Sequence, residues 1–226
     1  MTPTGQRHDF PVRDTRRIYR GRVMGLRADQ VEMPGGRVAV REIIEHPGAV
    51  AIAALDEHDR LAVIDQYRHA VRRRLRELPA GLLDVDGEDP AATAARELAE
   101  EAGLAATEWS VLLDLAPSPG FSDESVRVYL ARGLSAVPRP DLGDDEEADL
   151  EISWQPLADA VRAVLAGEIV NAVSAAAVLA VHVVHTGAGE PRPLDAPWPD
   201  RPTAFASGAP GTSAGSGTVD SAASGD

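Results

Sequence analysis

The chain contains no cysteine, which excludes disulfide bonds and catalytic thiolates. It also contains no lysine: all 22 of its basic residues are arginine, so no lysine-dependent mechanism is open to it. No uninterrupted apolar run approaches the ~18 residues of a transmembrane helix, and the N-terminus lacks the apolar core of a signal peptide. These absences predict a cytoplasmic protein.

Positive charge is scarce relative to negative charge. The 226 residues carry a formal net charge of −14 at pH 7, which argues against binding to nucleic-acid backbones or to anionic membrane surfaces. An anionic substrate would therefore need a local arginine cluster, a metal ion or both. Hydrophobic residues make up 44% of the chain, enough for one good-sized core.

The hydrophobic pattern predicts a small N-terminal sheet followed by a larger domain. Residues 1–16 are polar and are predicted to be flexible. Residues 17–46 alternate like antiparallel strands and should form a thin β lobe that packs on the main domain or on a second subunit. Residues 47–190 form the main domain, in which the apolar run Ala49–Leu55 is predicted to be a buried central strand and Leu61–Tyr67 its hairpin partner.

Two later segments have a biased composition. Asp141–Asp149 is the densest acidic stretch, and a solvated loop is its simplest interpretation. Residues 191–226 are rich first in proline and then in small residues. They are predicted to be an extended, largely disordered tail, with Trp198 and Phe205 packed back on the domain.

The most informative stretch is Gly81–Leu104, an acidic loop followed by a predicted helix. Pro90 suits the first helical position, because its missing N–H would be unpaired there in any case. Gly103 suits a left-handed cap at the end of the helix.

Three glutamates, Glu97, Glu100 and Glu101, share one face of this helix, since they stand at i, i+3 and i+4. Their carboxylates repel one another, and a hard divalent cation such as Mg²⁺ or Mn²⁺ would offset that repulsion. On this reasoning the three acids are tolerable together only with a cation among them. The alternative is a solvated acidic face, which is what most charge runs are.

One basic concentration, Arg68–Arg74, lies shortly before this stretch. It is either a solvated loop or a clamp for phosphate or carboxylate groups, which arginine binds in a bidentate manner. Its closeness in sequence to the acidic helix favours the second interpretation for Arg68.

The glycine, arginine and acidic positions of the informative stretch resemble the Nudix box of the Nudix hydrolases. The matching residues are Gly81, Glu88, Arg96-Glu97-Leu98, Glu100-Glu101 and Gly103-Leu104. One departure is visible: six residues rather than five separate Gly81 from Glu88, an insertion that a loop tolerates. The resemblance implies an α/β Nudix fold, in which a mixed β-sheet is sandwiched between helices and a small antiparallel β lobe precedes it.

The resemblance also implies roles for the matched residues. The implied metal ligands, for Mg²⁺ with Mn²⁺ as a substitute, are Glu97, Glu100, Glu101 and the carbonyl of Ala80. The implied structural positions are Gly81, Glu88, Arg96 and Gly103. Among these, Arg96 would pair with Glu88 to hold the loop against the helix, and Glu101 also counts among the catalytic residues.

Motifs outside the box are similar to those of the bacterial ADP-ribose pyrophosphatases within this family. They are Gln66–His69, Glu77–Gly81 and Ser118–Glu124. The likeness implies metal-dependent hydrolysis of ADP-ribose to AMP and ribose 5-phosphate by a homodimer whose N-terminal lobes cross to the partner subunit. Two alternatives stay open: another nucleoside diphosphate derivative as substrate, such as a nucleotide sugar or a dinucleotide coenzyme, or an ADP-ribose sensor without activity, against which the intact glutamate set speaks.

In that subfamily the catalytic base is a glutamate on a late acidic loop, which implies Glu147, with Glu146 as the second choice. The implied substrate contacts are Arg68, Glu77, Phe121 and Asp123. Adenine should stack on an aromatic ring, for which Phe10, Tyr19 and Phe121 are candidates.

Overall fold

A computed structural model of the protein describes residues 8–85, 87–139, 150–203 and 205. The described residues form ten strands and three helices. The strands are β1 (Val12–Arg20), β2 (Gly25–Glu32), β3 (Val38–Glu45), β4 (Ala49–Ala54), β5 (Arg60–Arg68), β6 (Arg73–Glu77), β7 (Ala80–Leu82), β8 (Leu104–Leu115), β9 (Val126–Ala136) and β10 (Glu151–Pro156). The helices are α1 (Pro90–Ala102), α2 (Leu157–Leu165) and α3 (Ala172–His185). Within these ranges no helix has the length and apolar character needed to cross a membrane.

β1, β2 and β3 form an antiparallel sheet of their own, which confirms the small N-terminal sheet that the sequence predicts. The predicted start of this sheet is wrong, because residues 12–16, assigned to the flexible N-terminus, already belong to β1. The side chains of β1 are exposed and mostly polar, so they show no apolar alternation. The backbone ladder to β2 holds this part of the strand instead.

The main domain holds two sheets, with strand orders β7-β4-β9-β8 and β10-β5-β6. β4 pairs antiparallel with β7 and parallel with β9, so its sheet is mixed. The predicted β4–β5 hairpin is confirmed at its turn, where the N–H of Asp56 donates to the carbonyl of Arg60 at 3.0 Å and Leu55 forms an isolated bridge with Leu61. The predicted pairing of the two strands is wrong, because β4 and β5 belong to different sheets. Because β7 and β9 occupy both edges of the buried β4, the turn after β4 carries the chain into the second sheet.

β4 lies at the centre of the core and divides it in two. Ala51 and Ala53 belong to the cluster that contains residues of α2 and α3, whereas Val50 and Ile52 belong to the cluster that contains residues of α1. This division follows from the two-residue period of a strand. Helices therefore cover both faces of the mixed sheet, and the predicted sandwich is confirmed.

Local signals define the ends of α1. Oδ1 of Asp89 accepts a hydrogen bond of 2.9 Å from the N–H of Ala91, Pro90 is the first helical residue, and Gly103 has a left-handed φ of 62°. Both predicted ends are thus confirmed. Leu98 is fully buried under the helix, which fixes the rotation of α1 and so the direction in which its glutamates project.

Residues 191–203, here called the C-terminal strap, pack against the mixed sheet. Arg192 pairs with Val111 of β8 through two backbone hydrogen bonds of 2.8 and 2.9 Å. The buried guanidinium of Arg127, on β9, donates to the carbonyl of Ala196 at 2.8 Å. The strap is therefore extended and packed on the domain, and the segment for which the sequence predicts disorder, residues 207–226, lies outside the described residues.

Trp198 anchors the middle of the strap. Its Nε1–H donates to Oγ of the buried Ser125 at 3.0 Å, and the Cζ atom of Arg127 lies 4.8 Å from the centroid of its ring. The prediction that Trp198 and Phe205 pack back on the protein is confirmed, since Phe205 is also buried. The strap thereby reaches Ser125, the residue just before β9.

Candidate active site

One cavity, of about 440 Å³, is bordered by both motif regions that the sequence singles out. The backbone turn at Ala80 and Gly81, next to the predicted metal ligands, borders it on one side. Its polar lining side chains are His46, Arg68, Glu77, Glu124, Asn171 and Ser174. A charged group of the substrate could therefore meet an arginine in the same space as the turn that carries one predicted metal ligand, the Ala80 carbonyl.

Arg68 and Glu77 form a bidentate ion pair at the wall of this cavity. Nε of Arg68 donates to Oε1 of Glu77 at 3.0 Å, and Nη2 donates to Oε2 at 2.7 Å. β5 and β6, which carry them, are antiparallel neighbours. The Glu77 side chain is only 2% exposed, so the pair holds the guanidinium plane in one orientation. Contact of either residue with a substrate stays a prediction.

Arg96 supplies the countercharge for the acidic turn of α1. Its Nη1 donates to Oε1 of Glu97 at 2.8 Å and to Oε2 of Glu100 at 2.9 Å. Its Nε and Nη2 donate to the two carboxylate oxygens of Glu88 at 3.3 and 3.2 Å. The prediction that only a cation makes these acids tolerable is therefore wrong, because one guanidinium has donors enough to serve several carboxylates.

The contact between Arg96 and Glu88 shifts the titration of both groups. The hydrogen bond with Glu88 raises the pKa of Arg96, an effect that burial opposes and that Glu97 and Glu100 reinforce. Hydrogen bonds from Arg96 and from the hydroxyl of Thr93 lower the pKa of Glu88. The loop and the helix are thus joined by two charged groups, in the arrangement that the resemblance implies.

The turn at β7 shapes the space around the other acids of α1. The N–H of Ala80 donates to Oε2 of Glu101 at 2.8 Å. A Cβ atom on Gly81 would lie 2.1 Å from the carboxylate carbon of Glu97, so only glycine leaves room for that carboxylate. Glu97 and Glu101 are 7% and 3% exposed. Gly81 therefore forms a cradle for the carboxylate of Glu97, and the N–H of Ala80 binds the carboxylate of Glu101.

The oxygen atoms of the predicted metal ligands suit a hard divalent cation, because Mg²⁺ prefers carboxylate and carbonyl oxygens. In the described part of the chain, however, no three histidine, aspartate or glutamate side chains gather as a metal cluster. Glu97 and Glu100 are turned to Arg96, so a cation would compete with that arginine for them. Glu97, Glu100, Glu101 and the carbonyl of Ala80 stay the predicted ligands.

Two predicted substrate contacts, Phe121 and Asp123, lie outside the lining of the cavity. Phe121 is 59% exposed and borders a separate hollow of about 290 Å³ together with Arg41. Oδ1 of Asp123 accepts a hydrogen bond of 2.8 Å from the backbone N–H of His46, and Oδ2 lies 3.6 Å from Nη1 of Arg27. In this arrangement Asp123 joins its loop to the end of the N-terminal sheet.

Glu124 and His46 line the cavity, although the sequence reasoning selects neither. Glu124 directly follows Asp123 in the motif Ser118–Glu124. The sequence therefore indicates the right motif, but the residue selected within it is one position too early. His46 precedes the Pro-Gly pair before β4, where the pattern indicates only a break between strands. Only the three-dimensional structure brings it to the cavity.

The predicted bases Glu146 and Glu147 lie outside the described residues. Before them, Nε of Arg139 donates to the carbonyl of Glu100 at 3.1 Å. Phe10 and Tyr19, the other candidates for stacking on adenine, are exposed near the N-terminal sheet. All of these assignments stay predictions.

Two family models match adjoining parts of the chain. The model described as NUDIX domain matches residues 44–173, more than half of the chain. The model described as nucleoside diphosphate sugar hydrolase N-terminal domain matches residues 11–44. The second range covers the N-terminal sheet, and the first covers α1 and most of the cavity wall.

Named relatives and a solved structure agree with these matches. The chain is 58% identical over 199 residues to the ADP-ribose pyrophosphatase of Mycobacterium tuberculosis, which covers 88% of this chain and 96% of that protein. It is 43% identical over 137 residues to the methanol dehydrogenase activator of Bacillus methanolicus, with coverage of 60% and 74%. A crystal structure of an ADP compounds hydrolase shares the fold, with a TM-score of 0.69 at 22% identity and coverage of 80% of this chain and 97% of that one. The chain therefore belongs to the Nudix hydrolase family.

Proposed function

We propose that the protein hydrolyses the diphosphate of ADP-ribose to AMP and ribose 5-phosphate. The observation that carries this proposal is the single cavity shared by the Ala80–Gly81 turn and the Arg68–Glu77 pair. An oriented guanidinium suits a diphosphate, and a buried carboxylate suits ribose hydroxyls. The name of the 58% identical relative from Mycobacterium tuberculosis supports the same substrate.

Mg²⁺, with Mn²⁺ as a substitute, is the proposed cofactor. Glu97, Glu100, Glu101 and the Ala80 carbonyl would hold it. When bound, such an ion neutralises phosphate charge and lowers the pKa of water. The chain's own contribution is to keep the ligands in place, through the Gly81 cradle and the N–H of Ala80.

Glu147 is the proposed general base, with Glu146 as the alternative. Each would be replaced by glutamine separately, and kcat measured at a fixed Mg²⁺ concentration. Loss of the base should lower kcat by ~10²–10⁴-fold in one variant and leave the other near wild type. A loss of only a few-fold in both variants would contradict the assignment.

A homodimer built through the N-terminal sheet is the proposed assembly. The support is the exposed apolar surface of that region, formed by Phe10, Val12, Ile18, Tyr19, Val38 and Val40. We propose that the chain is divided into an N-terminal β lobe, a Nudix domain of residues 47–190 and a C-terminal segment. The predicted cytoplasmic location stands on the sequence alone.

A turnover assay tests the substrate. Purified protein with Mg²⁺ would be offered ADP-ribose, nucleotide sugars and dinucleotide coenzymes, and the products separated by chromatography. We expect AMP and ribose 5-phosphate from ADP-ribose, with the highest kcat/KM of the panel. The Glu97→Gln variant, prepared in the same way, controls for contaminating hydrolases.

The same assay decides between the remaining functions. A higher kcat/KM for another nucleoside diphosphate derivative would replace ADP-ribose as the substrate; the differently named Bacillus methanolicus relative is the reason to include such compounds. Binding of ADP-ribose without cleavage by the wild-type protein would indicate a sensor.

A further inference from the structure

His46 is held at the cavity from two directions. Its backbone N–H donates to Oδ1 of Asp123 at 2.8 Å, which fixes its main chain to the neighbouring loop. Its ring atom Nδ1 accepts a hydrogen bond of 3.1 Å from the backbone N–H of Gly48. The ring therefore cannot rotate without losing a bond to the turn that precedes β4.

The bond at Nδ1 determines where the proton of the neutral ring lies. An imidazole that accepts at Nδ1 carries its proton on Nε2. Burial lowers the pKa of His46, although the charges of Glu124 and Asp123 oppose this. The ring is thus neutral near pH 7 and offers one N–H donor, for which no acceptor is found within the described ranges of the chain.

The surroundings of the ring suit a substrate oxygen as that acceptor. His46 lines the same cavity as Arg68, Glu77 and the Ala80–Gly81 turn. Arg68 and Glu77 are charged, and the Ala80–Gly81 turn lies next to the acidic residues of α1, so a neutral donor adds a directional contact without adding charge. Such a donor can bind either a phosphate oxygen or a ribose oxygen.

We propose that His46 is a substrate-binding residue that donates its Nε2–H to an oxygen of the bound nucleoside diphosphate. This inference rests on the proposed function of the cavity. It also gives Asp123 a role: Asp123 positions His46 through the backbone, and Glu124 lines the same cavity.

Two substitutions separate the two nitrogen atoms of the ring. Asparagine can place an acceptor near the Nδ1 position, and glutamine can place an N–H donor near the Nε2 position. His46→Asn should therefore keep the bond to Gly48 but lose the donor to the substrate. His46→Gln should keep the donor and lose the bond to Gly48.

Calorimetry with ADP-ribose in EDTA measures binding without turnover, and steady-state kinetics with Mg²⁺ measures KM and kcat. We expect His46→Asn to bind about 10-fold more weakly, in proportion to one lost hydrogen bond, with KM raised more than kcat is lowered. His46→Gln should bind within about 3-fold of wild type. His58→Asn and His58→Gln, at an exposed turn, are the matched controls.

The outcome with ADP identifies the acceptor. If His46→Asn weakens ADP and ADP-ribose binding equally, the acceptor is a phosphate oxygen; if only ADP-ribose is affected, it is an oxygen of the terminal ribose. Unchanged binding of both ligands by His46→Asn, or a larger loss in His46→Gln, would overturn the proposal and leave His46 a structural residue. If the wild-type protein cleaves ADP-ribose and His46→Asn binds it normally, only the role of His46 is refuted. If the wild-type protein neither binds nor cleaves ADP-ribose, the proposed function is refuted as well.

Discussion

Arg96 is the residue on which the acidic turn of α1 depends. It contacts Glu88, Glu97 and Glu100 at once, so it ties the loop to the helix and orients two proposed metal ligands. An arginine in this position keeps the acids together while no cation is bound. It also competes with the ion, which makes the affinity for Mg²⁺ a balance between the two positive charges.

Replacing Arg96 by glutamine tests this balance. The variant should lose about 1–3 kcal/mol of unfolding free energy in EDTA, since charged hydrogen bonds are lost. Mg²⁺ should then raise the Tm of Arg96→Gln more than it raises the Tm of wild type, because the ion takes over the missing countercharge.

Thermal unfolding in EDTA and in Mg²⁺ measures both effects. Arg37→Gln, in an exposed turn, is the matched control and should respond to Mg²⁺ as wild type does. An equal Mg²⁺ response of Arg96→Gln and wild type would show that Arg96 and the ion do not share ligands.

Asp114 provides a test by pH. Burial alone would raise the pKa of its carboxyl group, but hydrogen bonds from Arg127 and Arg192 outweigh burial and hold that pKa below its ordinary value of 3.8. A carboxyl group whose pKa is lower in the folded state stabilises the fold above 3.8. That stabilisation is lost as the pH falls from 3.8 through the folded-state pKa.

We expect Asp114→Asn to cost about 3–5 kcal/mol at pH 7, because it leaves the buried Arg127 without its countercharge. The difference from wild type should shrink as the pH falls below 3.8. Urea unfolding from pH 7 to pH 2.5 measures this difference, and a constant difference over that range would refute the explanation.

At the scale of elements, α1 could be predicted from sequence and the pairing of β4 could not. The signals for α1 are local: Asp89 and Pro90 at the start, Gly103 at the end, and glutamates at helical spacing. The partners of β4 are β7 and β9, which come much later in the chain. The apolar run of β4 indicates burial but does not say which strands will cover its edges.

The same distinction holds for the candidate site. The placement of Glu97, Glu100 and Glu101 on one turn of α1 follows from the helical repeat, and the sequence predicts it. The presence of His46 in the cavity follows from long-range packing around Asp123. Helical spacing allows the bond from Arg96 to Glu100, four residues later, but does not predict the bond to Glu97, because adjacent side chains of a helix point in different directions. The resemblance predicts only the pairing of Arg96 with Glu88.

The C-terminal strap lies beyond the range of the Nudix domain model, yet it contacts the residue next to Glu124. Trp198→Phe keeps a ring over Arg127 but removes the donor to Ser125, so it should cost about 1 kcal/mol of unfolding free energy. It should also raise KM, because Glu124 and Val126, on either side of Ser125, line the cavity.

Trp109→Phe is the matched control for this variant. It removes an equivalent bond, from Nε1 to the carbonyl of Ala106 at 3.1 Å, away from the cavity lining. Urea unfolding and steady-state kinetics should show a similar loss of stability in both variants and a raised KM only in Trp198→Phe. A KM raised equally in both would mean that the strap has only a structural role.

At the scale of the whole molecule, the N-terminal sheet carries exposed apolar side chains that a second subunit would cover. Val38 and Val40 stand two residues apart on one face of β3 and are 47% and 60% exposed. Replacing both by glutamate should disrupt a dimer built through this sheet, because charges would be buried in the interface.

Sedimentation at several micromolar concentrations measures the assembly. Wild type should sediment at twice the mass of the chain, and the Val38→Glu/Val40→Glu variant as a monomer. Leu179→Glu/Val183→Glu, at two exposed positions of α3, carries the same added charge and should remain dimeric. A monomeric wild-type protein would refute the proposed assembly.

The alternating side chains of β4 also determine whether its backbone can slide. Its larger residues, Val50 and Ile52, lie on the α1 side, and its alanines Ala51 and Ala53 on the other. A shift by one residue would push an isoleucine into alanine-sized space on one side and open a void on the other, so the two sides resist the shift together. Ala49 to Ala51 also line the cavity, so we expect this part of its wall to keep its register when a substrate binds, while the loops and side chains around it adjust.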